Sequence, residues 1–148
     1  MSYTIGEMAK RLGVAPSTLR YYDKEGLLPF VERSDGGIRL FKEEDYEWLM
    51  IIKCLKKTGM PLCDIREFVV MAMEGDNTIE RRLTLINKQK ESIECQIDEL
   101  SSVHRVLAYK KWYYEVAKKE GSTQIPKSMT SDELPPEFRE IRKMLRGE

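Results

Sequence analysis

The sequence predicts a mostly α-helical chain: a winged helix-turn-helix head, a helical hairpin, and one long helix made to pair with another. Three observations predict it. A Thr-x-x-Glu box, Gly13 and Pro16 divide the opening residues into two short helices. An Asp-Gly-Gly tip sits between two arginine-bearing arms over 29–41. No glycine or proline interrupts residues 77–120.

Thr4 and Glu7 have capping-box spacing, in which each side chain satisfies a backbone N–H of the first turn. Ile5, Met8, Ala9 and Leu12 follow at i, i+3, i+4 and i+7, one face of a helix. Gly13 suits a left-handed stop. Pro16 suits a first helical position, where its missing N–H costs little. The second helix runs to about Glu25, with Gly26 closing it. Leu19 must face the core of the pair, which leaves Ser17, Thr18, Arg20 and Tyr21 on or near the outer face. In a helix-turn-helix the second helix enters a DNA major groove. Residues 29–41 then read as a β-hairpin, with Asp35-Gly36-Gly37 as its turn and Arg33 and Arg39 flanking the tip.

A third helix is expected from Glu43 to Lys57, burying Tyr46, Leu49, Ile52 and Leu55. Gly59 ends it, and Pro61 opens a fourth that turns Ile65, Phe68, Val69 and Ala72 inward and closes at Gly75. Asn77 and Glu80 repeat the capping-box spacing before a helix of 42 residues, on the order of 60 Å long. Alternating steps of four and three along it meet Ile79, Leu83, Ile86, Ile93, Ile97, Leu100, Leu107 and Tyr114, interrupted by Lys90, His104 and Lys111. So long an apolar seam needs a partner helix, and the chain holds no second helix of that length, so the partner expected is a second copy. Residues 121–148 change character, with Pro126, Pro135 and Pro136 before an amphipathic segment carrying Phe138, Ile141, Met144 and Leu145. The expected divisions are 1–75 for the head, 76–120 for the long helix and 121–148 for a short tail that folds back.

Composition narrows the function. The 148 residues are 41% hydrophobic and 34% charged, with 25 basic and 25 acidic side chains, so a polyanion-binding surface has to be local. Residues 1–42 carry seven basic and five acidic side chains, a narrow surplus. No apolar run nears the ~20 residues of a membrane span, and the opening does not read as a secretory leader. Three cysteines without close pairing argue for a reducing, cytoplasmic setting.

The strings TIGEMAKRLGV, STLRYYDKEGLL, GGIRLF and CLKKTGMPLCDI resemble the MerR family of bacterial transcription regulators over about residues 3–75. Leu19-Arg20-Tyr21-Tyr22-Asp23 with Gly26-Leu27-Leu28 is the most specific part. Residues 77–118 match in kind, as the family's antiparallel coiled-coil dimerisation helix. The resemblance implies a cytoplasmic, nucleoid-associated homodimer on double-stranded promoter DNA. Its operator is near-palindromic, and bending and untwisting the duplex presents both promoter elements to RNA polymerase. It implies DNA contact by Arg20 and Tyr21, with Ser17 and Thr18 near the helix start and Tyr22 divided between contact and core. Arg33 and Arg39 are expected on phosphates, as is Lys56 with Lys57 beside it.

The effector rests on cysteine. Metal-sensing members resemble one another in carrying thiolate ligands near the end of the long helix and after it. This chain has no Cys beyond Cys95 and one His, so no metal or other cofactor is expected. Cys54 resembles the lone sensor of the aldehyde-responsive AdhR and NmlR subgroup, with Lys53 and Lys57 close by to favour a thiolate. Against it stand the helix C-terminus and the alternative of a buried filler. Cys63 competes from a helix start, and Cys95 reads as inert. Tyr109, Trp112, Tyr113 and Tyr114 offer another reading: packing against a partner, or a pocket with Phe138 and Ile141 for a small apolar or cationic effector. A non-sensing, DNA-bending protein of excisionase type is a further alternative, which the long helix disfavours. A single His and no nucleophile motif or phosphate-cradling loop argue against an enzyme.

Overall fold

The computed structural model describes residues 2–148 and divides into two compact units, one ending at Ser92 and one spanning Ile93–Glu148.

In the first unit, strand β1 (Ser2–Tyr3) leads into α1 (Ile5–Leu12) and α2 (Pro16–Lys24). The Thr4–Glu7 capping box forms, and Gly13 ends α1 in the left-handed conformation at φ 64°. Pro16 opens α2. The wing is β2 (Glu32–Arg33) and β3 (Arg39–Lys42), antiparallel, with Glu32 opposite Leu40 and Arg33 opposite Arg39. β1 pairs with the other edge of β3, so the sheet order is β1-β3-β2. Two residues are too few to show a period, and sequence reading missed β1. Helices α3 (Asp45–Lys57) and α4 (Leu62–Glu74) form the hairpin.

Met8, Ala9, Leu19, Leu27, Phe41, Leu49, Ile52, Ile65 and Val69 are buried to 1% exposure or less in one core. The expected stripes of the first four helices therefore meet. Trp48 joins Phe30 to Phe68 across this core, with ring centroids 6.1 and 6.2 Å away. Two basic side chains from the hairpin finish the head's helices. Lys53 donates to the Leu12 carbonyl at 2.7 Å, and Arg66 Nε to the Glu25 carbonyl at 2.7 Å. Both carbonyls lie at helix ends, where backbone acceptors lack partners and the dipole favours a cation.

Helix α5 (Ile79–Glu120) has the expected 42 residues. Its start differs from the expected Asn77–Glu80 box. Buried Thr78 donates to the Met71 and Gly75 carbonyls at 2.5 and 2.8 Å, and Arg82 donates to Thr78 and to the Gly75 carbonyl. The short 3₁₀ turn Asp76–Thr78 brings the neighbouring threonine, not Asn77, to the helix end.

In the second unit, α6 (Gln124–Ser128) and α7 (Arg139–Arg146) fold back on the end of α5. Tyr109, Leu134 and Ile141 are the buried centre, ringed by Trp112, Tyr113 and Phe138. Trp112 and Phe138 stand 5.9 and 5.8 Å from the Tyr109 ring. Met144 and Leu145, on the apolar face with Ile141, stay exposed, and α7 instead buries Ile141 together with Arg142.

Sequence reading also missed a cluster at the sheet edge. Glu43 accepts from both Arg11 nitrogens, at 2.6 and 2.9 Å, and from the Tyr3 hydroxyl at 2.6 Å. The Arg11 guanidinium lies between the Tyr3 and Tyr46 rings, 4.8 and 4.9 Å from their centroids. These donors hold the Glu43 carboxyl down at about 2, from an ordinary 4.5. A depressed carboxyl stabilises the fold in full above its unfolded value, and that share is lost as pH falls through the folded one. Urea midpoints should thus fall between pH 4.5 and 2 in the native protein. In Glu43→Gln the fall should be shallower from a lower start; parallel curves would contradict the cluster's role.

Candidate nucleic-acid interface

Helix α2, the wing and the end of α3 share one face. Arg20 is exposed on α2, with no ion pair or hydrogen bond to another side chain among the described residues. Tyr21 is 42% exposed. Ser17 is exposed and Thr18 half-buried, at the start of the same helix. Tyr22, on which the sequence was divided, is 4% exposed and packs in the core, and burial raises its hydroxyl pKa. Its position one helical turn after Leu19 explains this, because both then lie on the inner face.

Asp23 ties α2 to the wing. Its Oδ2 accepts from Arg33 at 2.8 Å and from Arg39 Nε at 2.8 Å, with a second very short bond to the Arg39 guanidinium. Arg33 and Arg39 face each other across the strands, an arrangement that is repulsive unless a counter-charge lies between them. Both arginines, expected on phosphates, are engaged by this one carboxylate. Arg39 is largely enclosed, at 25% side-chain exposure, and its visible work is to fix the wing. Arg33, at 51%, keeps surface free. Asp23 lies inside the LRYYD string, yet no residue pattern reveals a bond to strands 10 and 16 positions later.

Lys56 places its ammonium 5.2 Å from the Tyr21 ring centroid and 5.9 Å from that of Tyr22. A cation over an aromatic face is attracted to it, so the end of α3 is drawn onto α2. Lys57 is exposed nearby in sequence. Of the basic residues before Glu43, Arg11 is held by Glu43, Arg33 and Arg39 by Asp23, and Lys42 by Glu32 at 2.5 Å. Lys10, Arg20 and Lys24 have no such partner among the described residues, and of these Arg20 lies next to Tyr21 on α2.

All three cysteines are free and exposed, so Cys54 is not a core filler. It lies in the last turn of α3, and the neighbouring Lys53 is engaged on Leu12. Cys63 Sγ donates to the Asp64 carboxylate at 3.4 Å. No group of three or more His, Cys, Asp or Glu side chains able to hold a metal occurs among the described residues.

Residues 3–70 match the family model for the MerR HTH family regulatory protein, and residues 46–109 match the one described as MerR, DNA binding. An uncharacterized HTH-type transcriptional regulator of Haemophilus influenzae is 45% identical over 124 residues, 84% of this chain and 92% of its own. The chain belongs to the MerR family. Its members similar to this chain include the HTH-type transcriptional regulator AdhR of Bacillus subtilis, 37% identical over 60% of this chain and 64% of its own. Among solved structures, HiNmlR, a MerR family regulator lacking the sensor domain and bound to promoter DNA, aligns with a TM-score of 0.75. It is 45% identical, over 84% of this chain and 99% of that one. As a MerR-family protein the chain is a DNA-binding transcription regulator.

The Asp23 bridge makes a test that charge counting would get wrong. Asp23→Ala raises net charge by one, which favours polyanion binding if phosphate attraction alone matters. With the wing released, operator affinity should instead fall by about tenfold, on the scale of one lost charge-assisted anchor. Electrophoretic mobility shift at fixed salt measures this, and tighter binding would remove the bridge from the interface.

Proposed function

We propose that the protein binds a palindromic promoter operator as a homodimer and distorts the duplex in response to a signal, so that RNA polymerase can use the promoter. The observation that carries this reading is the unpartnered seam of α5. Ile79, Leu83, Ile97, Leu100 and Leu107 are 48–68% exposed, at coiled-coil spacing, with Ile86 and Ile93 half-buried between them. Scattered apolar residues on a surface are ordinary, but a continuous stripe is a binding face. A second α5 running antiparallel supplies matching knobs and holes. Two recognition helices at a fixed separation then read two half-sites, and the binding energy is spent on bending the DNA between them. The head at 1–75, the long helix at 76–120 and the tail at 121–148 divide this work. A cytoplasmic setting suits it, and among the described residues no helix is long and apolar enough to cross a membrane. The length of α5 weighs against the excisionase-type alternative.

In this reading Arg20 and Tyr21 contact the major groove, Ser17 and Thr18 steady the helix start against the backbone, and Arg33 and Lys56 meet flanking phosphates. Two variants separate grip from pairing. Arg20→Ala should cost operator affinity about 10–100-fold, the scale of one bidentate base contact, while light scattering still reports a dimer. Leu100→Lys should give monomers. An intact dimer in Leu100→Lys, or undiminished binding by Arg20→Ala, contradicts the assignment.

The signal we propose is an aldehyde or related electrophile. The exposed Sγ of Cys54 supports it. A thiolate there would add to the carbonyl carbon, and the resulting alkoxide would take a proton from water. Promoter induction by formaldehyde should disappear in Cys54→Ser, with operator affinity unchanged. Retained induction rejects the thiol as sensor.

A further inference from the structure

The second unit holds a cavity of about 270 Å³ between the end of α5 and the tail. Four cationic side chains line it: Lys110, Lys127, Arg142 and Arg146. The rings of Tyr109 and Tyr113, with Leu145, supply the apolar wall. No acidic side chain lines it. Arg142 is 93% buried by its 7% exposure, and its second terminal nitrogen, NH1, has no hydrogen-bond partner among the described residues. Its other terminal nitrogen donates to the Lys127 carbonyl at 3.3 Å, and Arg146 donates to the same carbonyl at 3.0 Å. Lys110 Nζ stands 4.9 Å from the Tyr113 centroid and 5.8 Å from that of Tyr109. The Tyr113 hydroxyl donates to the Thr123 carbonyl at 3.0 Å, which holds the ring in place. Glu133, outside the lining, accepts from the Thr130 N–H and hydroxyl at 2.6 and 3.0 Å, and Arg142 is near enough to help lower its pKa.

We propose that this cavity binds a small organic carboxylate with a planar apolar body. A buried guanidinium with a free N–H edge offers the directed donors that a carboxylate accepts. Four cations around one cavity, with Glu133 as a partial counter-charge outside the lining, leave a net positive surface that favours an anion. The tyrosine faces favour a flat hydrocarbon body over a compact inorganic anion. The volume lies at the lower edge of small-ligand pockets. The ligand sign is opposite to the apolar or cationic effector that the aromatic residues suggested in the sequence. The site stands apart from the operator and thiol readings, and its test needs neither.

Isothermal titration of the intact protein with benzoate in a low-chloride buffer tests it, with benzylamine and inorganic phosphate as the contrasting probes. Benzoate should saturate one site per chain, while benzylamine gives no saturable heat and phosphate binds more weakly. Arg142→Met should weaken benzoate at least about tenfold, the scale of one charge-assisted bond. Arg146→Gln, at an exposed position, should weaken it several-fold even if Arg142→Met fails to fold. The proposal is overturned by any of three results: no saturable benzoate binding, equal affinity in Arg146→Gln, or phosphate binding more tightly than benzoate.

Discussion

The carboxylate of Asp23 is the joint on which the DNA-reading face depends. A wing of two and four residues cannot hold its own place, because so short a ribbon is marginal without outside support. Its paired arginines make matters worse by opposing like charges across the strands. One acceptor on α2 resolves both problems, since the same oxygen takes both guanidinium groups. The wing's position is then set by α2 itself. Any tilt of α2 moves the wing with it, so the two elements behave as one rigid unit.

The same logic recurs behind the face. Lys53 closes the end of α1 and Arg66 the end of α2, each reaching from the helical hairpin. Arg82, at the start of α5, does so for the Gly75 carbonyl after α4. The Lys53 and Arg66 bonds each satisfy a helix-end acceptor and join residues 41 apart, while the Arg82 bond adds to those Thr78 already makes to Gly75. The hairpin is therefore more than a spacer. It connects the reading head to the first turns of α5 by polar bonds with fixed direction, which an apolar core alone does not supply. A displacement of the first turns of α5 would in this way reach α1 and α2.

Much of this was legible in the chain itself. Thr4, Glu7, Gly13 and Pro16 mark the first helices through local chemistry, and the apolar seam marks α5 through its period. Local signals succeed because cap and turn residues act on their immediate backbone. Asp23, Glu43, Thr78 and Arg142 were missed for the opposite reason. Their partners lie elsewhere in the chain or in a turn whose path sequence does not fix, and a charged residue looks alike whether solvated or bridged. Tyr22 shows the middle case: spacing from Leu19 admitted the core, the motif suggested contact, and packing decided.

The tail sharpens this contrast. Its aromatic residues announced a cluster, and Tyr109, Trp112 and Phe138 form one. Composition could not say that Arg142 would be drawn under that cluster with Ile141, its neighbour on α7. Burying Ile141 fixes the helix rotation, and the adjacent arginine is carried inward with it. Three further cations remain close because α5 and α6 each present a lysine toward the fold-back and α7 adds Arg146. The positive cavity is thus a consequence of how a short helix must dock to hide one isoleucine. Once formed, that concentration of charge favours an anion, and a carboxylate offers the geometry a guanidinium prefers.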